Sequence, residues 1–307
     1  MELHTLLPSG VTVLERGWLS SNNVVIRGEE GAALIDSGYW THSAQTVALV
    51  EGAVQGLPLL TLVNTHLHSD HCGGNAAVQA RWPNVRTVVP PGLAAAVRNW
   101  DPVALTYAPT GQACPPFRLD DTLRPGTSTE LGELSWQVHA APGHDAHSVI
   151  LFEPQSRTLI SADALWENGF GVVFQELEGE DAFSEVGATL DLIESLDPRV
   201  VIPGHGSIFC EVVGALERAR SRLSSYRENP ARHAAHGAKV MLKFKLLELQ
   251  TVPQDAFLTW AEGTAYFETV WRRWFASQPL RAWLQSLLLN LVHGGAAVSA
   301  RPSHLEP

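Results

Sequence analysis

The stretch Thr65-His66-Leu67-His68-Ser69-Asp70-His71-Cys72-Gly73-Gly74 constrains this chain more than any other. Its three imidazoles and one carboxylate are a donor set for metal ions, and the residues around them set the geometry. The preceding run Leu59-Leu60-Thr61-Leu62-Val63 is short and aliphatic, the pattern of a buried strand, ending near Thr65. Side chains two apart on extended backbone share a direction, so His66 and His68 can grip one ion while Leu67 turns into the core. Asp70 and His71 follow the strand end, in a turn where neighbours can face a second centre. Gly73-Gly74 lets the backbone pass close by and start a helix at Asn75.

The flanking chain alternates strands and helices. Val11–Leu14, Asn23–Ile26 and Ala32–Asp36 read as a meander, with a turn at Gly28-Glu29-Glu30-Gly31. Thr41 is placed to cap a helix through about Val54. A helix from Asn75 stops before Pro83 and leads to the strand Val85–Val89. Leu93–Asn99 is helical in pattern, but Pro102, Pro109, Pro115, Pro116 and Pro125 make the rest of residues 92–128 irregular. Long irregular segments are often lids or binding loops, so Trp100 and Tyr107 become candidates to cover a pocket. Leu134–Ala140, Ser148–Phe152, Thr158–Ser161 and Arg199–Ile202 read as strands, and Asp181–Leu196 as a helix.

Three of those strand ends each deliver one ligand-type residue: Ala141-Pro142-Gly143-His144, Ser161-Ala162-Asp163 and Ile202-Pro203-Gly204-His205-Gly206. His66, His68 and His144 make an open three-histidine shell. Asp70, His71 and His205 hold a second ion, and the two oxygens of Asp163 suit a bridge. Two divalent ions bring more charge than Asp70, Asp163 and a bridging hydroxide remove, and the surplus suits an anionic transition state. His147, three past His144, is a candidate to orient a ligand or protonate a leaving group. Trp166, Phe170 and Phe174 follow Asp163 closely and can wall an apolar pocket. Cys72 adjoins the motif but reads as a small buried thiol. The other histidines, among them His4, His42, His139, His233, His236, His293 and His304, have no motif context and read as surface or core residues.

Charge divides the chain of 307 residues. Up to Cys210 there are 24 acidic against 9 basic residues; from Glu211 onward there are 8 against 12, including all three lysines. This break suggests a unit over 1–210 and another over 211–307. The second is helical throughout, with a break at Pro230 and further helices over Ala234–Leu249, Gln254–Trp260, Thr264–Phe275 and Leu280–Val292. Its basic helices admit nucleic acid, a phosphate-bearing thioester such as a coenzyme A derivative, or docking on the acidic first unit. The acidity of that unit argues against a dedicated nuclease. No apolar run reaches the roughly 18 residues of a membrane span, and Met1-Glu2-Leu3-His4 lacks a signal-peptide pattern, so a cytoplasmic protein is expected. Cys72, Cys114 and Cys210 are too few and too dispersed for a disulfide framework.

THLHSDH at 65–71, APGHDAHS at 141–148, SADALW at 161–166 and IPGHG at 202–206 together resemble the metallo-beta-lactamase fold superfamily over about residues 10–210. The resemblance implies an α/β protein, a four-layer αββα sandwich with metals at one edge of its two sheets and an all-helical C-terminal appendage. It also makes Asp36, after the strand Ala33-Leu34-Ile35, similar to a recurrent aspartate beside the site. Asp163 favours the glyoxalase II-like, lactonase-like and lactamase-beta-2-like branches over the true beta-lactamases. The helical tail looks most like the partly winged-helix-like tail of the lactamase-beta-2-like hydrolases, although wing strands are not evident. The basic and aromatic pattern with which glyoxalase II binds its substrate is not found. The implied activity is that of a dinuclear zinc hydrolase, iron or manganese being admissible. In it a metal-bridging hydroxide attacks the carbonyl of a small-molecule thioester, lactone or other ester. Alternatives are a metal-dependent ribonuclease, an iron-dependent persulfide dioxygenase, which the retained His71 and His205 disfavour, and a non-catalytic metal-holding regulator. Oligomeric state is not legible.

Overall fold

The structure, a computed structural model, describes residues 6–179, 181–301 and 304–306; His4 lies outside them. The first sheet contains β1 (Val11–Leu14), β2 (Asn23–Arg27), β3 (Ala32–Ile35), β4 (Leu59–Val63), β5 (Arg86–Val89) and β6 (Asp121–Thr122), in that spatial order. Its first three strands are antiparallel and β3 to β6 run parallel. The second sheet contains β7 (Ser128–Leu131), β8 (Leu134–Ala140), β9 (Val149–Glu153), β10 (Thr158–Ala162) and β11 (Val200–Pro203), ordered β11-β10-β9-β8-β7.

The helices are α1 (Ser43–Val54), α2 (Ser69–Cys72), α3 (Asn75–Arg81), α4 (Ala94–Asn99), α5 (Tyr107–Thr110), α6 (Phe174–Glu178) and α7 (Ala182–Leu196). They continue as α8 (Val212–Glu228), α9 (Pro230–Leu249), α10 (Gln254–Glu262), α11 (Ala265–Trp274) and α12 (Leu280–His293). No described helix is long and apolar enough to cross a membrane.

Alternation along the strands builds the layers, because successive side chains point to opposite faces. Val24, Ile26, Ala33, Ile35 and Val63 of the first sheet meet Val138, Leu151, Ile160 and Ile202 of the second, around fully buried Trp136. The residues between them, Val25, Leu34 and Leu62, face the other way and are covered by Val50 and Val54 of α1 and Val78 of α3. On the far side, Ile150, Phe152, Leu159 and Val201 are covered by Phe183, Val186 and Leu190 of α7 and Leu216 and Leu223 of α8. Both faces of each central strand are therefore apolar, and the four layers are helix, sheet, sheet, helix.

Beyond α8 the helices α9 to α12 make their own apolar cluster, around Trp283, Phe257 and Phe267. The break expected at Pro230 differs in kind: Pro230 is the first residue of α9, and the Asn229 side chain accepts a hydrogen bond from the Arg232 N–H. Proline lacks the N–H that a first helical turn leaves unpaired, so it opens this helix four residues before Ala234. A small sheet also closes this region, with β14 (His304–Glu306) lying between β12 (Val252–Pro253) and β13 (Val298–Arg301). Strands this short carry too little alternation to be read in sequence. Likewise Thr41 does not cap α1; it lies in a 3-10 turn over Trp40–His42, and Ser43 Oγ donates to the Trp40 carbonyl.

The two glycines behind the histidine motif are required for close packing. The backbone at Gly73 is pressed on the Ser69 carbonyl and the Trp40 amide, and that at Gly74 on the Ser37 carbonyl. Gly74→Ala would push its methyl into fixed backbone; we expect a loss of about 1–3 kcal/mol, read as a lowered denaturant midpoint at unchanged slope.

Candidate metal centre

Five strand ends converge at one edge of the sandwich. Asp36 follows β3, the motif follows β4, His144 follows β8, Asp163 follows β10 and His205 follows β11. β4 ends at Val63, with its apolar run and short of the end expected near Thr65, so His66 and His68 sit on the loop between β4 and α2. Leu67 between them is buried with Cys72, Val89 and Val97. Asp70 and His71 lie in the single turn of α2.

The side chains form two groups whose candidate donor atoms lie within 4.8 Å of one another: His66, His68 and His144, and Asp70, His71, Asp163 and His205. His68 Nδ1 and His144 Nε2 stand 2.8 Å apart, and His205 Nε2 is 3.1 Å from Asp70 Oδ2. Asp163 faces both groups, with Oδ1 3.5 Å from His71 Nε2, and Oδ2 3.4 Å from His144 Nε2 and 3.9 Å from His205 Nε2.

The outer nitrogens are held from behind. Asp36 accepts hydrogen bonds from the Thr65 amide at 2.9 Å, the Thr65 hydroxyl at 2.7 Å and His71 Nδ1 at 2.7 Å. His144 Nδ1 donates to the Val172 carbonyl at 2.6 Å. A proton fixed on Nδ1 leaves Nε2 as the free donor atom, turned inward. Indeed, His66 Nε2 and His71 Nε2 are buried without a hydrogen-bond partner. Orphaned imidazole nitrogens beside two buried carboxylates suit divalent cations, so the residues present fit metal ions.

Electrostatics agree. Burial, then the neighbouring rings, hold His66 well below the usual histidine range, and burial with His68 lowers His144 to about 4. Both are neutral at neutral pH and ready to donate a lone pair. For His71, burial opposes the charged ring, yet Asp163 and Asp36 outweigh it and raise the ring well above its ordinary value. Burial likewise works against the Asp163 carboxylate, and His71, His205 and His144 overcome it, holding that group well below the carboxylate range.

A cavity of about 1030 Å3 opens from this centre toward α9. Trp166 and Phe170 line it, and Trp166 Nε1 donates to Asp163 Oδ1 at 3.1 Å. Phe174 packs edge-on against His68 and tilted against His144, with ring centroids 5.3 and 5.8 Å away. Tyr107 is not part of the wall. It is buried beneath the motif, where its hydroxyl donates to the Leu67 carbonyl at 2.8 Å beside Cys72 Sγ, and Trp100 packs behind it on Phe117. An apolar neighbourhood and a free backbone carbonyl drew that phenol inward. His147 is not brought to the centre either: it is exposed, with its ring over Gly92, because Asp145 accepts from the His147 amide and turns the chain outward.

Residues without a motif also belong here. Trp18, 62% exposed, stacks on His205 with centroids 5.5 Å apart and planes at 12°. Asn22 Nδ2 donates to the carbonyls of Pro203 and Gly206, at 3.0 and 2.7 Å, and fixes the His205 turn. The available signal was the run Ser20-Ser21-Asn22-Asn23, four polar residues that are all buried.

An αββα sandwich with a cluster of histidines and aspartates where its strands end defines a class of proteins built to hold metal ions at that edge. The chain belongs to the metallo-beta-lactamase superfamily, whose family model matches residues 16–205. It is similar to a hydroxyacylglutathione hydrolase of Brucella anthropi, 24% identical over 231 residues, covering 72% of this chain and 76% of that one. It is also similar to a hydroxyacylglutathione hydrolase of Legionella pneumophila strain Lens, 27% identical over 154 residues; the match spans 50% of this chain and 48% of that relative. Among solved structures, a metallo-beta-lactamase family protein from Thermus thermophilus superposes with a TM-score of 0.59 at 20% identity, covering 98% of this chain and 99% of that one. A beta-lactamase domain protein from Burkholderia ambifaria gives 0.61 at 22%, covering 95% and 89%. At these identities the likeness is one of fold, and it takes in the C-terminal helices.

Removing the Asp36 carboxylate would free His71 to turn and lose its tautomer. For Asp36→Ala we expect metal affinity to fall by roughly 10–100-fold, measured by competition with a chromogenic chelator, with metal content restored at higher metal concentration.

Proposed function

We propose that the protein is a dinuclear hydrolase of the zinc type that cleaves a carbonyl ester, with thioesters first among lactones and other esters. The observation that carries this reading is the pairing of the two donor groups across Asp163, whose two oxygens face different histidines. His66, His68 and His144 would hold one cation, Asp70, His71 and His205 the other, and Asp163 both. When bound, such a pair polarises a carbonyl oxygen and makes hydroxide available at neutral pH.

The chain's own residues do the rest. Trp166 Nε1 donates to Asp163 Oδ1 and so restrains the carboxylate. Trp18 and Trp166 both pack on His205, and Phe174 packs on His68 and His144. These rings narrow the approach and lower the local dielectric, which strengthens each charge interaction inside. The hydroxyacylglutathione hydrolases to which the chain is similar support a thioester. The juxtaposition of all seven donors favours a two-metal site over the smaller ligand set of an iron dioxygenase. We place the catalytic unit over 1–210 and the helical unit over 211–307, with α8 bedded into the catalytic core.

The test is elemental analysis of freshly purified protein together with hydrolysis of an acyl coenzyme A, S-lactoylglutathione, a homoserine lactone, a cephalosporin-type lactam and an RNA oligomer. About two zinc per chain, with chelator-sensitive turnover of an ester class, is expected. About one iron per chain, or cleavage of RNA alone, would overturn the reading. Asp163→Ala is expected to lose both the second metal and turnover; full metal content with full turnover in that variant would show that Asp163 is no bridge.

A further inference from the structure

The cavity that opens from the metal centre has a wall this reading does not use. Much of it is apolar, from Val103 to Met241, Phe244 and Leu247 of α9. Into it project Arg222 of α8 with His236 and Lys239 of α9. Arg222 and Lys239 are half-buried, and neither makes a hydrogen bond or ion pair with any described residue. Their neighbours are all engaged. Arg218 donates to the Glu167 carbonyl, Arg220 pairs with Asp191 and Glu194, Arg227 donates to the Phe183 carbonyl, and Lys243 donates to the Ala296 carbonyl. Asp145 and Glu167 also line the cavity, and neither pairs with these two cations.

The cluster is close to the chemistry. A Cβ at Gly169 would lie 2.5 Å from Arg222 Nη1, so the guanidinium rests on the backbone of Gly169. Gly169 and Trp166 close one tight turn through the Trp166 amide and the Gly169 carbonyl, and Trp166 reaches Asp163. One face of a short loop therefore meets the metal ligands and the other meets Arg222. His236 is itself held neutral, lowered to about 4 by burial and by Arg222, Lys239 and Arg232. Half-buried cations at an apolar wall, without a counter-charge and converging on one neutral ring, suit an anion of more than one charge. A phosphate, carrying between one and two negative charges and several acceptor oxygens, matches them better than a single carboxylate.

We propose that Arg222, His236 and Lys239 form a phosphate subsite for the carrier half of the substrate, and that the substrate class is an acyl thioester of a phosphorylated thiol of the coenzyme A type. The acyl chain lies against the apolar wall. The substrate assignment rests on the thioester-hydrolase reading above; the phosphate subsite does not. Hydrolysis breaks the C–S bond, places the hydroxyl of water on the acyl carbon and returns the proton to the thiolate, with no change of oxidation state. A nucleic acid fits less well, because these cations sit inside an apolar cavity rather than along an exposed stripe, beside a unit with 24 acidic residues against 9 basic.

The experiment is calorimetric titration of desulfo-coenzyme A, which has no thiol to bind metal, into the full chain before and after treatment with chelator. We expect binding that survives chelation and weakens with salt. It should fall roughly 10–100-fold in Arg222→Gln and in Lys239→Met, and be largely rescued in Arg222→Lys. Thermal unfolding of each variant shows whether it is folded, and should one fail the other carries the test. No binding to the unaltered chain, or equal affinity in a folded variant, overturns the subsite. Binding of S-methylglutathione or of a short RNA with the same dependence on Arg222, in place of desulfo-coenzyme A, overturns the carrier assignment. Binding of desulfo-coenzyme A with no turnover of any acyl thioester supports the subsite and overturns the hydrolase reading.

Discussion

The edge of the sandwich depends on one buried carboxylate. Asp36 is 3% exposed, sits at a positive φ of 55° and takes three hydrogen bonds, two from Thr65 and one from His71. A non-glycine residue in that backbone region is strained, and it persists because its surroundings over-determine it. The turn directs the carboxylate from the end of β3 across to the loop after β4. Around it the same loops are laced together: the Ser37 amide donates to the His71 carbonyl at 2.7 Å, and Asn64 Nδ2 to the same oxygen at 3.2 Å. Bonds between the sheets complete the frame, from the Val149 amide to the Thr65 carbonyl and from the Asn22 amide to the Gly204 carbonyl.

That frame makes sense of an otherwise costly interior. Histidines 66, 71, 144 and 205 and Asp163 are all buried, and two of the rings carry inward nitrogens without partners. A polar atom in that position destabilises a folded chain unless something accepts its lone pair. The opposing shifts of His144 and His71 differ in which influence wins: at His144 burial and the neighbouring His68 ring outweigh Asp163 and Asp145, whereas at His71 Asp163 and Asp36 outweigh burial. The protein therefore holds its donors ready, some already neutral and one retaining a proton that a cation would displace.

Much of this was legible. Strands buried on both faces give short apolar runs, and those of β4, β9 and β10 stand out for that reason. Ligands at strand ends were readable because Gly and Pro fix the turns beside His144 and His205. Other parts depended on tertiary contacts that leave no local pattern. Tyr107 was drawn inward by the Leu67 carbonyl, and His147 was turned outward by Asp145. Trp18 reaches His205 from a loop far away in sequence, and Arg222 matters for the partner it lacks rather than for any motif it carries.

One small link joins the two halves of the chain. The Val172 carbonyl accepts from His144, and the next amide, that of Val173, donates to His233 Nε2 on α9 at 3.2 Å. A single peptide unit is thus clamped between a member of the metal cluster and the helical tail. The tail is for that reason no interchangeable cassette: a graft without an imidazole at this point would leave the Val173 amide without its partner. Changes that reshape the substrate cavity would then fall on the side of α9 that lines it, at Met241, Phe244 and Leu247, and leave His233 in place.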